Sequence, residues 1–351
     1  MDTSDSLPSD TLRLEAYTDA EVQAAVQELF TDKSFLAGMA GFLPVELYTH
    51  ILQTYEQVDS AASFQSLLMV PFLEHVCQLS VREWTVSGLE QLDPAGSYLF
   101  ISNHRDIGLD SAFLNWALLK QGFRTSQIAI GDNLMKHRLA ELIFRINKSF
   151  VVLRSGSARE LYAHSIRMSQ YIHALITKAQ DSVWIAQREG RAKDGNDRTQ
   201  VALLKMLSLG AGEDLLTWFQ SLRVVPVAIS YEWHPTDLLQ TQEYLARLRD
   251  PGYRKTFAQD MSHLFVGIRG QKGRIHLHFD GRFQEQLSAL GELPGPKAQL
   301  QGLAAAIDRS IHQNYRLRAI NYVAADLLAE EQQHAAHYSP QEYDYYAAWF
   351  A

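Results

Sequence analysis

The sequence predicts an α/β protein: a mainly parallel sheet flanked by helices, preceded by an N-terminal helical region. Three observations carry this expectation. Short apolar runs recur from residue 98 onward, at 98–102, 126–130, 149–153, 182–186, 224–230 and 274–279. Most of them are separated by stretches with helical spacing, such as 111–121, 134–146 and 158–179, and strands alternating with helices make parallel sheets covered on both faces. Before residue 82 the pattern differs, because "DAEVQAAVQELF" and "SFQSLLMVPFLEHVCQL" place apolar residues three and four apart.

In chain order, residues 1–84 are expected to form the helical region, 85–290 the α/β domain and 291–351 a C-terminal helical extension. Within the first, "FLAGMAGFLP" (35–44) is apolar and glycine-rich; it suits either a buried corner or a surface that touches lipid. Strand 98–102 ends in "NHRDIGLD", after which a helix begins. Strand 149–153 delivers Arg154, and strand 182–186 runs into "QREGRAKDGNDR". "VVPVAISYEW" reads as a strand whose Pro226 suggests a sheet edge. Residues 299–328 read as a closing helix, and the aromatic tail "YSPQEYDYYAAWF" either packs back on the domain or binds elsewhere. There is no internal repeat.

The chain has 351 residues, 46% hydrophobic and 21% charged, enough for a sizeable core in one large domain or two. A net charge of −8 argues against binding nucleic acid over the whole surface. The single cysteine, Cys77, excludes an intrachain disulfide and fits a reducing compartment. No basic segment followed by an apolar core opens the sequence, so no secretory signal is expected. No run approaches the ~18 apolar residues of a spanning helix, which leads us to expect a soluble or peripherally bound intracellular protein. Charge is unevenly spread. Residues 1–32 hold eight acids and one base, whereas residues 136–198 hold twelve Lys or Arg against six Asp or Glu. The basic stretch is either a solvated face or the neighbourhood of an anionic substrate or headgroup.

Four constellations stand out, the fourth being "VVPVAISYEW", most simply a sheet strand, and one histidine pair is weighed beside them. In "NHRDIGLD", His104 lies near Asp106 and Asp110. Asn103 and Asp106 are common turn formers and Asp110 is an attractive helix cap, but a histidine beside an aspartate is also what general-base catalysis on a hydroxyl requires. Around Glu189-Gly190-Arg191, the guanidinium could grip phosphate and the glycine admit a ligand close to the backbone. Arg154 at a strand end is either an exposed arginine or a second anion contact. His276 and His278 alternate onto one strand face, a metal pair without a third ligand at suitable spacing, so no metal is expected. No Gly-x-Ser-x-Gly elbow is present, which argues against a lipase or thioesterase.

The order and spacing of these motifs resemble the glycerolipid acyltransferases, which transfer acyl groups to glycerol-3-phosphate or 1-acylglycerol-3-phosphate. That family has a histidine–aspartate motif after its first strand, a strand ending in arginine, a strand leading to Glu-Gly-x-Arg or Glu-Gly-Arg, and a Val-Pro strand. Here the matching residues are Asn103-His104 with Asp110, then Phe150 to Arg154, Glu189-Gly190-Arg191 and Val225-Pro226-Val227, within residues 85–285. The spacing departs from the family's: His104 and Asp110 have five residues between them where four are usual, and Gln187-Arg188 replaces an apolar-proline pair. Asp106 is therefore an alternative partner for His104.

The resemblance implies a catalytic His104–Asp110 pair, with Arg154, Glu189, Gly190 and Arg191 at the phosphate of a glycerophosphate-type acceptor. It implies acyl-CoA or acyl carrier protein as co-substrate and no cofactor. Oxyanion donors would come from backbone N–H groups at the start of helix 110–121. The protein would sit in the cytoplasm, peripheral on the inner face of the cell membrane, with 35–44 and the basic segment as lipid contacts.

Overall fold

The computed structural model describes residues 13–191, 196–212 and 214–350; Asp2, Asp5 and Asp10 of the acidic start and part of the 184–198 loop lie outside them. Seven strands form one sheet: β1 (Val81–Ser87), β2 (Leu99–Ser102), β3 (Gln127–Gly131), β4 (Ser149–Val152), β5 (Val183–Ala186), β6 (Val224–Tyr231) and β7 (Gly273–Phe279). Their order across the sheet is β1-β7-β6-β2-β5-β3-β4. Every pairing is parallel except β6 with β7, so the expected mainly parallel α/β class is the observed one.

The short apolar runs are continuous because the central strands are buried on both faces. Leu99, Ile101, Val183, Ile185 and Val224 pack with the helices Ala158–Ala174 and Gly295–Asn314 on one side. Phe100, Trp184, Val225, Val227 and Ile229 pack with the Leu109–Lys120 helix on the other. Before the sheet, helices Asp19–Thr31, Lys33–Phe42, Val45–Thr54 and Val70–Ser80 make the expected helical region. Thr18 and Glu21 form a capping box at its first helix. Its own core, including Val26, Leu29, Ile51 and Phe64, closes against Leu142 and Ile146 of the Arg138–Ile146 helix.

Three local readings need correction. Strand β1 was not expected, because "VREWTVS" is short, carries charge and has an irregular register at Val81/Glu83, so it lacks an apolar run. Pro226 is not at a sheet edge; β6 lies between β2 and β7. It is tolerated because the antiparallel ladder ends beside it: Asp280 N–H donates to Pro226 O (2.9 Å), and the reciprocal bond is the one proline cannot make. The 299–328 helix is two helices, Gly295–Asn314 and Ala319–Ala329. The break is held where Arg316 N–H donates to buried Ser230 Oγ (2.9 Å). The aromatic tail packs back, with the buried Tyr346 hydroxyl donating to Glu232 (2.7 Å) and Trp233 set among Tyr345, Tyr346 and Trp349.

Candidate active site

A cavity of about 1670 Å³ lies between the sheet's carboxyl edge and the N-terminal helices. His104, Arg154, Arg188, Glu189, Gly190 and Arg191 line it together with apolar residues such as Phe35, Met39, Leu68, Phe72, Ile107 and Trp116. The motifs that follow β2, β4 and β5 therefore meet in one space, whereas Val225-Pro226-Val227, inside β6, does not line it.

The polar turn after β2 is placed by Asn103. Buried at the strand end, its side-chain amide donates to Ile229 O (2.9 Å) and accepts from Ile229 N–H (2.8 Å), continuing the β2–β6 ladder by one side-chain pair. His104 follows with its Nδ1 2.9 Å from Asp110 Oδ2. The same Oδ2 accepts the backbone N–H groups of Arg105 (2.6 Å) and Asp106 (2.9 Å), while Oδ1 accepts the Tyr231 hydroxyl (3.0 Å). Asp110 is fully buried, so these donors replace the water it has lost. Surrounded by donors, Asp110 sets the Nδ1–H tautomer and leaves Nε2 as the basic nitrogen. Burial, and then the Asp110 charge, push the Tyr231 hydroxyl well above its ordinary range, which keeps it a donor.

The choice of partner is thereby resolved in favour of Asp110. Asp106 does what was expected of Asp110 as a cap: its Oδ1 accepts the N–H groups of Gly108 (3.0 Å) and Leu109 (2.9 Å) at the head of the Leu109–Lys120 helix. Asp110, in the first turn of that helix, folds back on the loop. Burial, followed by repulsion from Asp110, raises the Asp106 carboxyl above the usual range. Because Gly108 and Leu109 N–H already bind Asp106, these two amides do not supply an oxyanion hole.

The anion side is less uniform. Arg154 leaves β4 and packs over Gly131, where any Cβ would collide with the guanidinium. Its Nε lies 3.8 Å from Glu189 Oε1, and the Glu189 side chain is 66% exposed. Gly190 has φ +64°, a left-handed turn that suits glycine. It turns Arg191 inward, where the guanidinium is buried and reaches Thr236 Oγ1 (2.9 Å) and His263 Nδ1 (2.7 Å). Burial lowers its basicity, opposed mainly by the Asp106 and Glu243 charges. Arg191 is therefore anchored to helices that follow β6, and Arg154 is the more open of the two.

Much of the basic stretch serves other ends. Arg138 pairs with Glu28 (2.7 Å) and Lys148 with Asp181 (2.8 Å), while buried Arg145 donates to the carbonyls of Arg13 and Glu15. Charge counting cannot distinguish such braces from a ligand site. His276 sits between Thr85 Oγ1 (2.8 Å) and Ser87 Oγ (3.1 Å), and His278 Nδ1 is 2.9 Å from the same Ser87 oxygen; among the described residues no group of three or more candidate metal ligands occurs. Tyr231, in the β6 run, is a functional neighbour that the sequence motifs do not identify. A polar residue at the carboxyl end of an otherwise apolar buried strand was the available signal.

The sequence comparisons agree with this picture. A family model described as "Acyltransferase" matches residues 37–165. Glycerol-3-phosphate acyltransferases of two Pseudomonas putida strains are 23% identical over 265 residues, covering 70% of this chain and 30% of theirs. The chain thus spans less than a third of the length of these relatives. Among solved structures, the 1-acyl-sn-glycerophosphate (LPA) acyltransferase of Thermotoga maritima aligns with 84% of this chain and 95% of its own, at 12% identity and a TM-score of 0.38. The family match, the curated relatives and the motifs that follow β2, β4 and β5 support a glycerolipid acyltransferase family for this chain.

Proposed function

We propose that the protein is an O-acyltransferase that moves a fatty acyl group from acyl-CoA or acyl carrier protein to a hydroxyl of glycerol-3-phosphate or 1-acylglycerol-3-phosphate. The observation that carries this reading is a His104–Asp110 pair at the junction of an apolar cavity and an arginine-bearing rim. His104 Nε2 takes the proton as the acceptor oxygen attacks the thioester carbonyl. A tetrahedral intermediate forms; the C–S bond then breaks, and the imidazolium returns its proton to the departing thiolate. Asp110 steadies the imidazolium throughout. A thioester is already activated, so the reading calls for no covalent enzyme intermediate, metal or cofactor. The apolar walls hold the acyl chain, and Arg154 and Arg191 hold the acceptor's phosphate.

Glu189 favours a second acceptor class. Its exposed carboxylate beside Arg154 puts both signs of charge at the acceptor end, which fits an amino-acid-derived lipid alcohol bearing ammonium as well as a phosphate ester. No helix among the described residues is long and apolar enough to cross a membrane; on this reading the protein works at the inner face of the cell membrane.

The test incubates purified protein with labelled acyl-CoA or acyl carrier protein and, separately, glycerol-3-phosphate, 1-acylglycerol-3-phosphate and an amino-acid-derived lipid alcohol. Label in the two glycerophosphates supports the first reading, and label in the third alone supports the second. Lipid binding without transfer to any acceptor would make the protein a carrier on this fold.

A further inference from the structure

The Asp237–Arg249 helix, between β6 and β7, is amphipathic inside out. Gln240 and Glu243 face inward at 3% and 4% exposure, whereas Leu238, Leu245 and Leu248 are 67%, 42% and 63% exposed. Tyr244, 40% exposed, borders the same stripe. A helix on the surface of a soluble protein normally turns its apolar stripe to the core. The inner face has its own explanation. Thr236, at the helix start, accepts from Arg191 (2.9 Å) and Gln240 (3.2 Å), and Glu243 pairs with Arg247 (2.9 Å) and Lys255 (3.7 Å). The polar wall braces the anion end of the cavity. Nothing in that role requires three leucines in water on the opposite side.

We infer that the outer face of this helix docks on an anionic lipid surface, resting the cavity's rim against the bilayer. Charge complementarity selects this occupant. Exposed Arg249 ends the leucine stripe and exposed Arg254 follows within the same connection, two bases against the one exposed acid between them, Asp250. The opposite, inner face of the same helix reaches the rim: Glu243 and Arg247, with Arg254 and Lys255 just beyond the helix, line the cavity, so one helix separates the docking face from the cavity's edge. Further round the rim, Phe265 is 53% exposed with its ring 6.3 Å from that of Phe42, and the Arg269 guanidinium lies 4.7 Å from the Phe42 ring. Leucine and aromatic side chains edged by arginine are the composition of an interfacial helix, apolar groups entering the acyl boundary and guanidiniums meeting phosphate. The inference rests on the proposed function in one respect, since lipid substrates would then pass between bilayer and cavity without crossing water. It adds to the expected membrane contact of the 35–44 stretch, whose Phe35, Leu36, Met39 and Phe42 are all partly buried against the N-terminal core.

The test is flotation of the full chain with vesicles of phosphatidylcholine alone or mixed with phosphatidylglycerol, at low and high salt. The wild-type protein is expected to float with the mixed vesicles and less so at high salt. The L238S/L245S/L248S variant is expected to lose about a hundredfold in vesicle partition, with turnover of water-soluble short-chain substrates within about twofold of wild type. If the triple variant does not fold, Leu248→Ser alone is expected to lose about fivefold. Wild-type flotation by the leucine variants overturns the inference. So does a wild-type protein that never floats but is dimeric by light scattering, with the triple variant monomeric, since the stripe would then join two copies. Flotation requires no turnover, so a protein that floats through these leucines yet transfers no acyl group would refute the proposed function and leave the docking surface standing.

Discussion

At the histidine end of the cavity, buried Asp110 is held by two backbone amides, a tyrosine hydroxyl and His104 itself. At the arginine end, Arg154 and Glu189 lie near solvent 3.8 Å apart, and only Arg191 is buried. The contrast separates two demands. A proton-transfer pair must be oriented before the substrate arrives, because reorientation adds to the barrier. An acceptor site gains from side chains that water can screen and a ligand can displace. The histidine end should therefore govern the rate, and the arginine end the affinity.

The largest expected effect is at His104. His104→Ala is expected to lower kcat about 10²–10⁴-fold while leaving substrate binding nearly intact. Full transfer activity in that variant would remove the pair from the mechanism. Within the same end, Asp110→Asn and Tyr231→Phe sharpen the comparison. The asparagine can keep the amide bonds while the Tyr231 hydroxyl turns to accept, so the fold survives and kcat falls by roughly 10²-fold or more. Tyr231→Phe removes one donor of several, which predicts a kcat loss of about three- to tenfold and a stability loss of about 1 kcal/mol. Equal losses in these two variants would mean that Asp110's charge is not what matters.

At the other end the two arginines are expected to part company. Arg191→Ala is expected to raise KM for a phosphorylated acceptor about tenfold or more and to lower the melting temperature, because Thr236 and His263 lose the guanidinium that ties two helices together. Arg154→Ala is expected to raise KM about threefold with no change in melting temperature, as an exposed charge contributes little to stability. A large kcat effect from either would blur the division between the ends.

The smallest effect concerns Asp106. Its folded carboxyl titrates above the unfolded value because it is buried and faces Asp110. The folded state then binds the proton more tightly, so this contribution is full below the unfolded value near 3.8 and is lost as pH rises through the raised folded value. Asp106→Asn keeps an oxygen for the Gly108 and Leu109 amides without a buried charge, so it is expected to be no less stable than wild type at neutral pH. Urea melts across the acid range would show a flatter pH dependence for the variant; identical slopes would contradict the raised carboxyl.

Much of this site was legible because its chemistry sits at strand ends. The six apolar runs fell within about a residue of β2 to β7, since a strand buried on both faces has no other sequence signature. The pairing of His104 with an aspartate could be read; the choice between two aspartates could not, because it depends on which carboxylate caps the helix and which folds back. Tyr231 and Asn103 act across the sheet, through contacts separated by more than a hundred residues, and no local pattern announces them. Strand β1 was hidden for a related reason: it is recruited by β7, its partner far along the chain, rather than by its own hydrophobicity.

The clasp between Asn103 and Ile229 also bears on how the protein is made. The loop that carries His104 leaves the ribosome early, but its clasp at Ile229 and the Asp110 donor Tyr231 lie 126 and 121 residues downstream of their partners. At ordinary elongation speeds that delay is roughly ten seconds. Until it has passed, the nascent chain carries the histidine motif without the strand that orients it, and a fragment covering only residues 37–165, the stretch the family model matches, would do the same. The emerging polypeptide thus completes the surroundings of His104 only when its sheet is nearly complete, a consequence of the order of its strands.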